Sequence, residues 1–252
     1  MQYNPFSLEN KTILVTGASS GIGRGIAIEC SKMGATLILC GRNEKRLYET
    51  LSALNGDNKH QILIGDLTDP SCVESISVNC PICDGIVHCA GISQLCMVRQ
   101  LSYENIDKVF KINVYAPIYL NTLLLKNKKI SKGGSIVIIS SISGTYATNI
   151  GECGYAATKA SLAGYVKAAA LDLSSKQIRV NSIHPGVVNT PLLDVSKSTF
   201  TEEELVSLKK MYPLKRFGEP EDIAYSAIFL LSNASSWITG SNLLIDGGYS
   251  IK

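Results

Sequence analysis

Short apolar runs alternate with longer amphipathic ones from Lys11 almost to the end of the chain. "TILVTG" is followed by a stretch with helical spacing from about Gly21, then "TLILC", a second helical stretch from about Glu44, and "QILIGD". The rhythm continues through "DGIVHCAG", a long helical stretch from about Ser102, "GSIVIISS", a helix holding Tyr155, "IRVNSIHPG", a helix near Glu221 and a closing "NLLID". Nearly continuous apolar strands joined by helices predict a parallel sheet covered on both faces. The predicted fold class is therefore α/β, a doubly wound sheet of about seven strands flanked by helices. No Pro- or Ser-rich linker divides the chain, so residues 1–252 read as one domain. Only 187–220 breaks the alternation, with a strand end, a loop and a short helix from near Glu202. An insertion of that length predicts a substrate loop or lid.

Composition narrows the class. The chain is 45% hydrophobic and 18% charged, as expected of a substantial core. A net charge of +3 with dispersed lysines gives no nucleic-acid footprint. The one basic cluster, Lys126 to Lys132, reads as the cationic end of a helix. The N-terminus lacks a basic region followed by an apolar run, and no stretch is apolar for long enough to span a membrane, so a cytoplasmic protein is expected. The eight cysteines are scattered through apolar segments and read as reduced thiols. "CPIC" (Cys80 to Cys83) has no second pair, and His60, His88 and His184 lack ligand spacing, so no metal site is expected.

Directly after the first strand, "TGASSGIGRG" places Gly17, Gly21 and Gly23 at the turn into a helix. Such glycines let the backbone approach a pyrophosphate while the helix N-terminus supplies N–H donors. The spacing departs from G-x-G-x-x-G, so position after the first strand carries the assignment of a dinucleotide site. At the end of the second strand Gly41 and Arg42 stand where an NAD-selective protein usually carries an acid. Arg42 offers a planar cation to a 2′-phosphate, which favours NADP(H) over NAD(H), while Glu44 belongs to the first turn of the next helix.

Tyr155 and Lys159, at i and i+4, share one helix face and are surrounded by Gly154, Ala156, Ala157, Ala160 and Ser161. A phenol with its ordinary pKa of ~10 is a poor base at neutral pH. A cation ~4–5 Å away, at an effective dielectric of ~20, favours the phenolate by roughly 3–4 kcal/mol before desolvation. Small neighbours leave room for a substrate and a nicotinamide ring.

Taken together, "TGASSGIG", "HCAG", Asn113 in "IN", "SSISG", "YAATK", "HPGVVNTP" and the closing "RFGEPEDIAYSAIFLLSNASSWITGSNLLIDGG" resemble the short-chain dehydrogenase/reductase family, with the motifs in family order from residue 8 onward. The C-terminal stretch is similar to the 3-oxoacyl-(acyl-carrier-protein) reductase branch. The resemblance implies a Rossmann fold and a catalytic set of Asn113, Ser141, Tyr155 and Lys159. In that set Ser141 bonds the substrate oxygen and Tyr155 exchanges a proton with it. Lys159 lowers the tyrosine pKa and binds the nicotinamide ribose, while Asn113 holds a water leading to solvent. Ser141 is preferred to Ser140 or Ser143 only by alignment to the family pattern. For the cofactor the resemblance implies Ser19, Ser20 and Ile22 beside the glycines, Asp66 and Leu67 at the adenine, Cys89, Ala90 and Gly91 along the nucleotide, and Pro185, Gly186, Val188 and Thr190 around the carboxamide. It also implies a homotetramer, and an acidic acyl carrier protein as partner, with Lys132 and Lys176 near where that branch carries basic residues.

One departure stands out. The family commonly has "NNAG" where this chain has "HCAG". Backbone contacts to a nucleotide are expected to survive, whereas side-chain bonds buttressing the neighbouring strands are not assured. Cys89 is expected to confer sensitivity to thiol reagents, and His88 to be a packed strand residue. The leading functional reading is an NADP(H)-dependent oxidoreductase acting on a carbonyl or secondary alcohol, with a 3-oxoacyl thioester as substrate. The alternatives are a relative acting on a sugar, steroid-like or other small hydroxy compound, and a non-catalytic dinucleotide sensor.

Overall fold

A computed structural model describes residues 3–56, 59–191, 193 and 201–251 of the chain. Seven parallel strands form one sheet in the order β3-β2-β1-β4-β5-β6-β7. They are β1 (Thr12–Thr16), β2 (Thr36–Gly41), β3 (Gln61–Ile64), β4 (Cys83–His88), β5 (Ile130–Ile139), β6 (Arg179–Pro185) and β7 (Asn242–Ile245). The apolar runs are buried from both sides because their residues alternate between two cores. Ile13, Val15, Leu37, Leu39 and Val87 face one, and Leu14, Ile38, Cys40 and Ile86 face the other.

The first core lies under α1 (Gly21–Lys32) and α8 (Pro220–Leu231), which contribute Ile26, Ala27, Cys30, Ile223, Ala224 and Ala227. These two helices touch closely at Gly25, where a Cβ would stand 2.7 Å from Cβ of Pro220. The second core lies under α3 (Pro70–Asn79), α5 (Ala116–Lys126) and α6 (Cys153–Asp172). The remaining helices are α2 (Glu44–Leu51), α4 (Tyr103–Phe110) and α7 (Glu202–Lys210). Helix α7 begins with a Thr201/Glu204 capping box, which fixes its start where the sequence places it.

Two elements were not anticipated. Helix α3 has weak amphipathicity, so periodicity hides it, although Asp69 caps it through Ser71 N–H and Pro70 opens it. The long helical stretch from Ser102 is also not uniform: α4 passes into α5 through a π-helical turn, Lys111–Tyr115, which carries Asn113. Such insertions recur at functional sites because they re-aim side chains without ending the helix. The basic cluster at Lys126 straddles the C-terminus of α5, the following turn and the start of β5. Of the expected substrate loop, residues 192 and 194–200 lie outside the described residues.

Candidate active site

The strand order reverses between β1 and β4, and a crevice opens beyond their carboxyl ends, where open α/β sheets bind ligands. A cavity of about 410 Å³ fills it. Gly17, Ser19, Ser20, Gly21, Ile22, Gly23, Arg42, Leu67, Cys89, Ala90, Gly91, Tyr155, Lys159 and Thr190 line this cavity, so most of the residues singled out in the sequence converge there. Asn43, Arg46, Gly65, Ile92, Ile112, Ile139 and Pro191 also line it and were not anticipated, as does Ser140, the alternative to Ser141. Arg46 lies in the first turn of α2, just after the loop that carries Arg42. Asn113, Ser141, Asp66, Pro185, Gly186 and Val188 are not among the lining residues of this cavity, and Gly186 and Val188 line a second cavity of about 190 Å³.

The glycines are required by geometry. Gly17 and Gly21 have φ of +68° and +53°, which side chains with a Cβ disfavour. A Cβ on Gly17 would come within 2.9 Å of the Ala90 backbone, and one on Gly23 would overlap the Gly17 carbonyl oxygen. Ser20 makes no side-chain cap at α1, leaving the first N–H groups of a twelve-residue helix available at the cavity wall. A tight backbone cradle ending on an uncapped helix N-terminus fits a pyrophosphate. At the far end Arg42 pairs with Asp66 at 3.3 Å, with both side chains substantially exposed. Burial opposes ionisation of Asp66, but hydrogen bonds from Thr68 and Arg42 outweigh it and hold the carboxyl below its usual range.

Thr16, at the end of β1, supplies the buttress that was in doubt. Its Oγ1 accepts from Cys89 N at 3.1 Å and Ala90 N at 3.2 Å, so the backbone of "HCAG" is held without the usual asparagines. His88 points into the second core, where its Nε2–H donates to Asn121 Oδ1 at 2.8 Å and Asn121 Nδ2 reaches Tyr165 Oη at 3.3 Å. Burial brings His88 down to about 4, so it is a neutral packing residue. Cys89 does line the cavity, but burial pushes its thiol up to about 12 against the pull of Lys159. The raised pKa lowers the thiolate fraction on which reaction with thiol reagents depends. Cys80 and Cys83 are buried with their sulfurs 3.6 Å apart, and no cluster of metal-ligating side chains occurs among the described residues.

At the reactive end, three serines compete and the hydrogen bonds separate them. Ser140 Oγ donates to Lys159 O at 2.9 Å, and Ser143 Oγ donates to Glu152 Oε2 at 2.8 Å. Ser141 Oγ accepts from Ser143 N at 3.0 Å, and its hydroxyl is the one of the three that favours ionisation of Tyr155. The Ser141 carbonyl accepts from Nδ1–H of the fully buried His184 at 2.7 Å, which fixes the peptide behind that hydroxyl. Asn113 is 2% exposed and its side chain is committed. Oδ1 accepts from Ile92 N at 2.9 Å, while Nδ2 donates to Ile92 O at 3.0 Å and Thr158 Oγ1 at 3.1 Å. A water on Asn113 would therefore belong to its backbone.

Tyr155 and Lys159 share one face of α6, with Nζ 5.8 Å from the ring centroid. Burial acts against the effect expected of the lysine on the tyrosine. Burial pushes the Tyr155 hydroxyl up to about 12 despite the bond from Ser141, and Glu152 pushes the same way. Burial also brings Lys159 down to about 8. Each group loses hydration of its charged form, and Nζ spends a hydrogen bond on Ile139 O at 3.0 Å instead of on the phenol. The pair as folded holds a phenol and a partly tamed ammonium side by side.

The family model described as Enoyl-(Acyl carrier protein) reductase matches residues 17–250. A 3-oxoacyl-(acyl-carrier-protein) reductase from Rickettsia prowazekii is 35% identical over 241 residues, covering 96% of this chain and 97% of the relative. A (3R)-3-hydroxyacyl-CoA dehydrogenase from Canis lupus familiaris is 32% identical over 97% of this chain and 98% of its own length. A crystal structure with bound NADP from Agrobacterium tumefaciens, described as a 2-deoxy-d-gluconate 3-dehydrogenase, superposes with a TM-score of 0.89 at 30% identity, covering 99% of this chain and all of that one. With a family model spanning its crevice, both cores and its C-terminal strand, the chain belongs to the short-chain dehydrogenase/reductase family of oxidoreductases.

Proposed function

We propose that this protein is an NADP(H)-dependent reductase of carbonyl compounds, with a 3-oxoacyl thioester as substrate. The observation that carries the reading is Tyr155 with Lys159 on one helix face, Nζ 5.8 Å from the ring centroid, in the wall of a glycine-lined crevice. A phenol held near 12 is a proton donor at neutral pH, which suits reduction.

NADPH supplies the hydride when bound. Gly17, Ser19, Ser20, Gly21, Ile22 and Gly23 would hold its pyrophosphate, Arg42 its 2′-phosphate, and Asp66 and Leu67 its adenine. Cys89, Ala90 and Gly91 would follow the nucleotide, and Pro185, Gly186, Val188 and Thr190 the carboxamide. Ser141 O–H donates to the substrate carbonyl oxygen and orients it. Tyr155 donates to the same oxygen and yields its proton as negative charge develops there. The neighbouring Lys159 ammonium then stabilises the phenolate left behind, so its electrostatic contribution arises during the reaction. Asn113 keeps the segment after β4 in place through Ile92, and its backbone is the candidate holder of the water that returns a proton.

Acyl substrates are favoured by the names of the two curated relatives. Lys132 and Lys176 are exposed and available to an acidic carrier. The reading includes one domain over 1–252 with 187–220 as the substrate loop, a homotetramer and a cytoplasmic setting; light scattering and fractionation test the last two. The NADP-bound relative described as a 2-deoxy-d-gluconate 3-dehydrogenase supports a second reading, oxidation of a sugar acid. NADPH consumption with acetoacetyl thioesters decides between them. Turnover there supports the first reading, and a flat trace beside activity on a hydroxy sugar acid selects the second.

A further inference from the structure

One charged side chain tied by hydrogen bonds to the catalytic serine has no role in the chemistry above. Glu152 precedes Tyr155 by three residues, at the N-cap of α6. Its Oε2 accepts from Ser143 Oγ at 2.8 Å and from Asn149 N at 3.0 Å. Ser143 in turn donates its N–H to Ser141 Oγ, so the carboxylate and the reactive hydroxyl hang on one tether. Oε1 has no hydrogen-bond partner among the described residues, and Glu152 is half-buried, which leaves the charge incompletely neutralised. Its charge raises the pKa of Tyr155 on α6 and, more weakly, that of Tyr212, whose hydroxyl accepts from Val187 N at 3.1 Å and which lines the second cavity. Lys159 directs its Nζ toward Ile139 O on β5 and is 6% exposed.

We infer that Glu152 is a specificity-determining residue, which disfavours carbonyl substrates bearing a carboxylate near the reacting carbon and favours uncharged 3-oxoacyl esters and thioesters. The inference rests on the reductase reading and deepens it. A sugar acid carries the disfavoured charge, whereas a 3-oxoacyl thioester is uncharged around its ketone. Two carboxylates ~10 Å apart at an effective dielectric of ~20 repel enough to lower kcat/KM about tenfold.

Ethyl acetoacetate and acetoacetate share one ketone and differ in that charge, so their kcat/KM ratio reads the effect directly. Glu152→Gln keeps an oxygen to accept from Ser143 and Asn149 while removing the charge. We expect it to raise the acetoacetate-to-ester ratio about tenfold, and we expect salt raised from ~0.05 to ~0.5 M to narrow the wild-type preference for the ester. An active Glu152→Gln enzyme with the wild-type ratio overturns the inference and leaves the reductase reading standing. If that variant fails to fold, the wild-type salt series decides, and a ratio flat across it overturns the inference. A folded wild type that reduces neither compound nor any other ketone with NADPH removes the reductase reading, and the inference with it.

Discussion

The two ends of the crevice are built by opposite means. The nucleotide end is a backbone surface, in which Gly17, Gly21 and Gly23 bring main chain against main chain and the charged groups, Arg42 and Asp66, remain exposed. The reactive end is a packed set of polar side chains, in which Asn113, Thr158, Lys159 and His184 are nearly or fully buried and held by hydrogen bonds. The first end tolerates changes of side chain but not an added Cβ. The second destabilises the fold, because burying a chargeable group opposes folding unless its neutral form prevails. Substitutions at the two ends should therefore separate by sign and by readout.

The largest effect is expected from Tyr155→Phe, which removes the proton donor and keeps the ring. Turnover should fall by ~10²–10⁴-fold, the contribution of a positioned acid. NADPH binding, followed by its fluorescence, should stay within a few-fold of wild type. Measurable turnover near the wild-type value removes Tyr155 from the chemistry. At the other end, Gly23→Ala places a Cβ against the Gly17 carbonyl oxygen, with backbone on both sides of the clash. Overpacking of that kind costs about 1–3 kcal/mol. The expected result is weaker NADPH binding by ~10–100-fold, with a lower thermal midpoint. Binding unchanged by the methyl group would show that the cradle is looser than its geometry.

Lys159→Met sharpens the contrast, because activity and stability should move in opposite directions. Lys159 falls from 10.5 to about 8 in the folded protein. Between those values the unfolded chain binds more protons than the folded one, so stability rises with pH across that window. Below it the buried ammonium costs up to ~3 kcal/mol, a penalty a methionine lacks. The variant should therefore be inactive, melt higher than wild type at pH 7, and lose the part of the stability increase between about pH 8 and 10.5 that comes from Lys159. Tyr155, raised from 10.0 to about 12, acts in the opposite sense and should lower stability above pH 10 in both proteins. A lower midpoint for Lys159→Met at pH 7 would mean that the Ile139 bond outweighs the desolvation.

Much of this was legible in the residues, and what was not has a physical reason. The β1-to-α1 glycines could be read because backbone proximity leaves a compositional trace, and Tyr155 with Lys159 because i and i+4 fixes a shared face in any helix. The serines could not be ranked by sequence, since three hydroxyls within four residues differ only in the partners that folding gives them. Ser140 meets the Lys159 carbonyl, Ser143 meets Glu152, and Ser141 is left to Tyr155. The direction of the tyrosine shift was also out of reach, because spacing reports a neighbouring charge but not how much water the pair loses. The π turn at Asn113 has no periodicity of its own, and helix α3 announces itself only through Asp69-Pro70.

The smallest expected effect lies at the exposed end, where the ion pair is weakest. Arg42 and Asp66 are 3.3 Å apart with side chains 67% and 38% exposed, so their mutual attraction contributes at most about 1 kcal/mol. Such a pair opens readily to admit a 2′-phosphate, whose double charge and fork-shaped acceptors suit a guanidinium better than a single carboxylate oxygen does. Arg42→Ala should weaken NADPH about tenfold, equivalent to about 1.4 kcal/mol, and leave NADH within about twofold, with a shallower salt dependence for NADPH. Arg46, which lines the same cavity, should retain part of the preference, so the double substitution should approach equal affinity for the two cofactors. Equal losses for NADPH and NADH in the single variant would assign Arg42 to the ribose or adenine and remove the structural basis for preferring NADP(H).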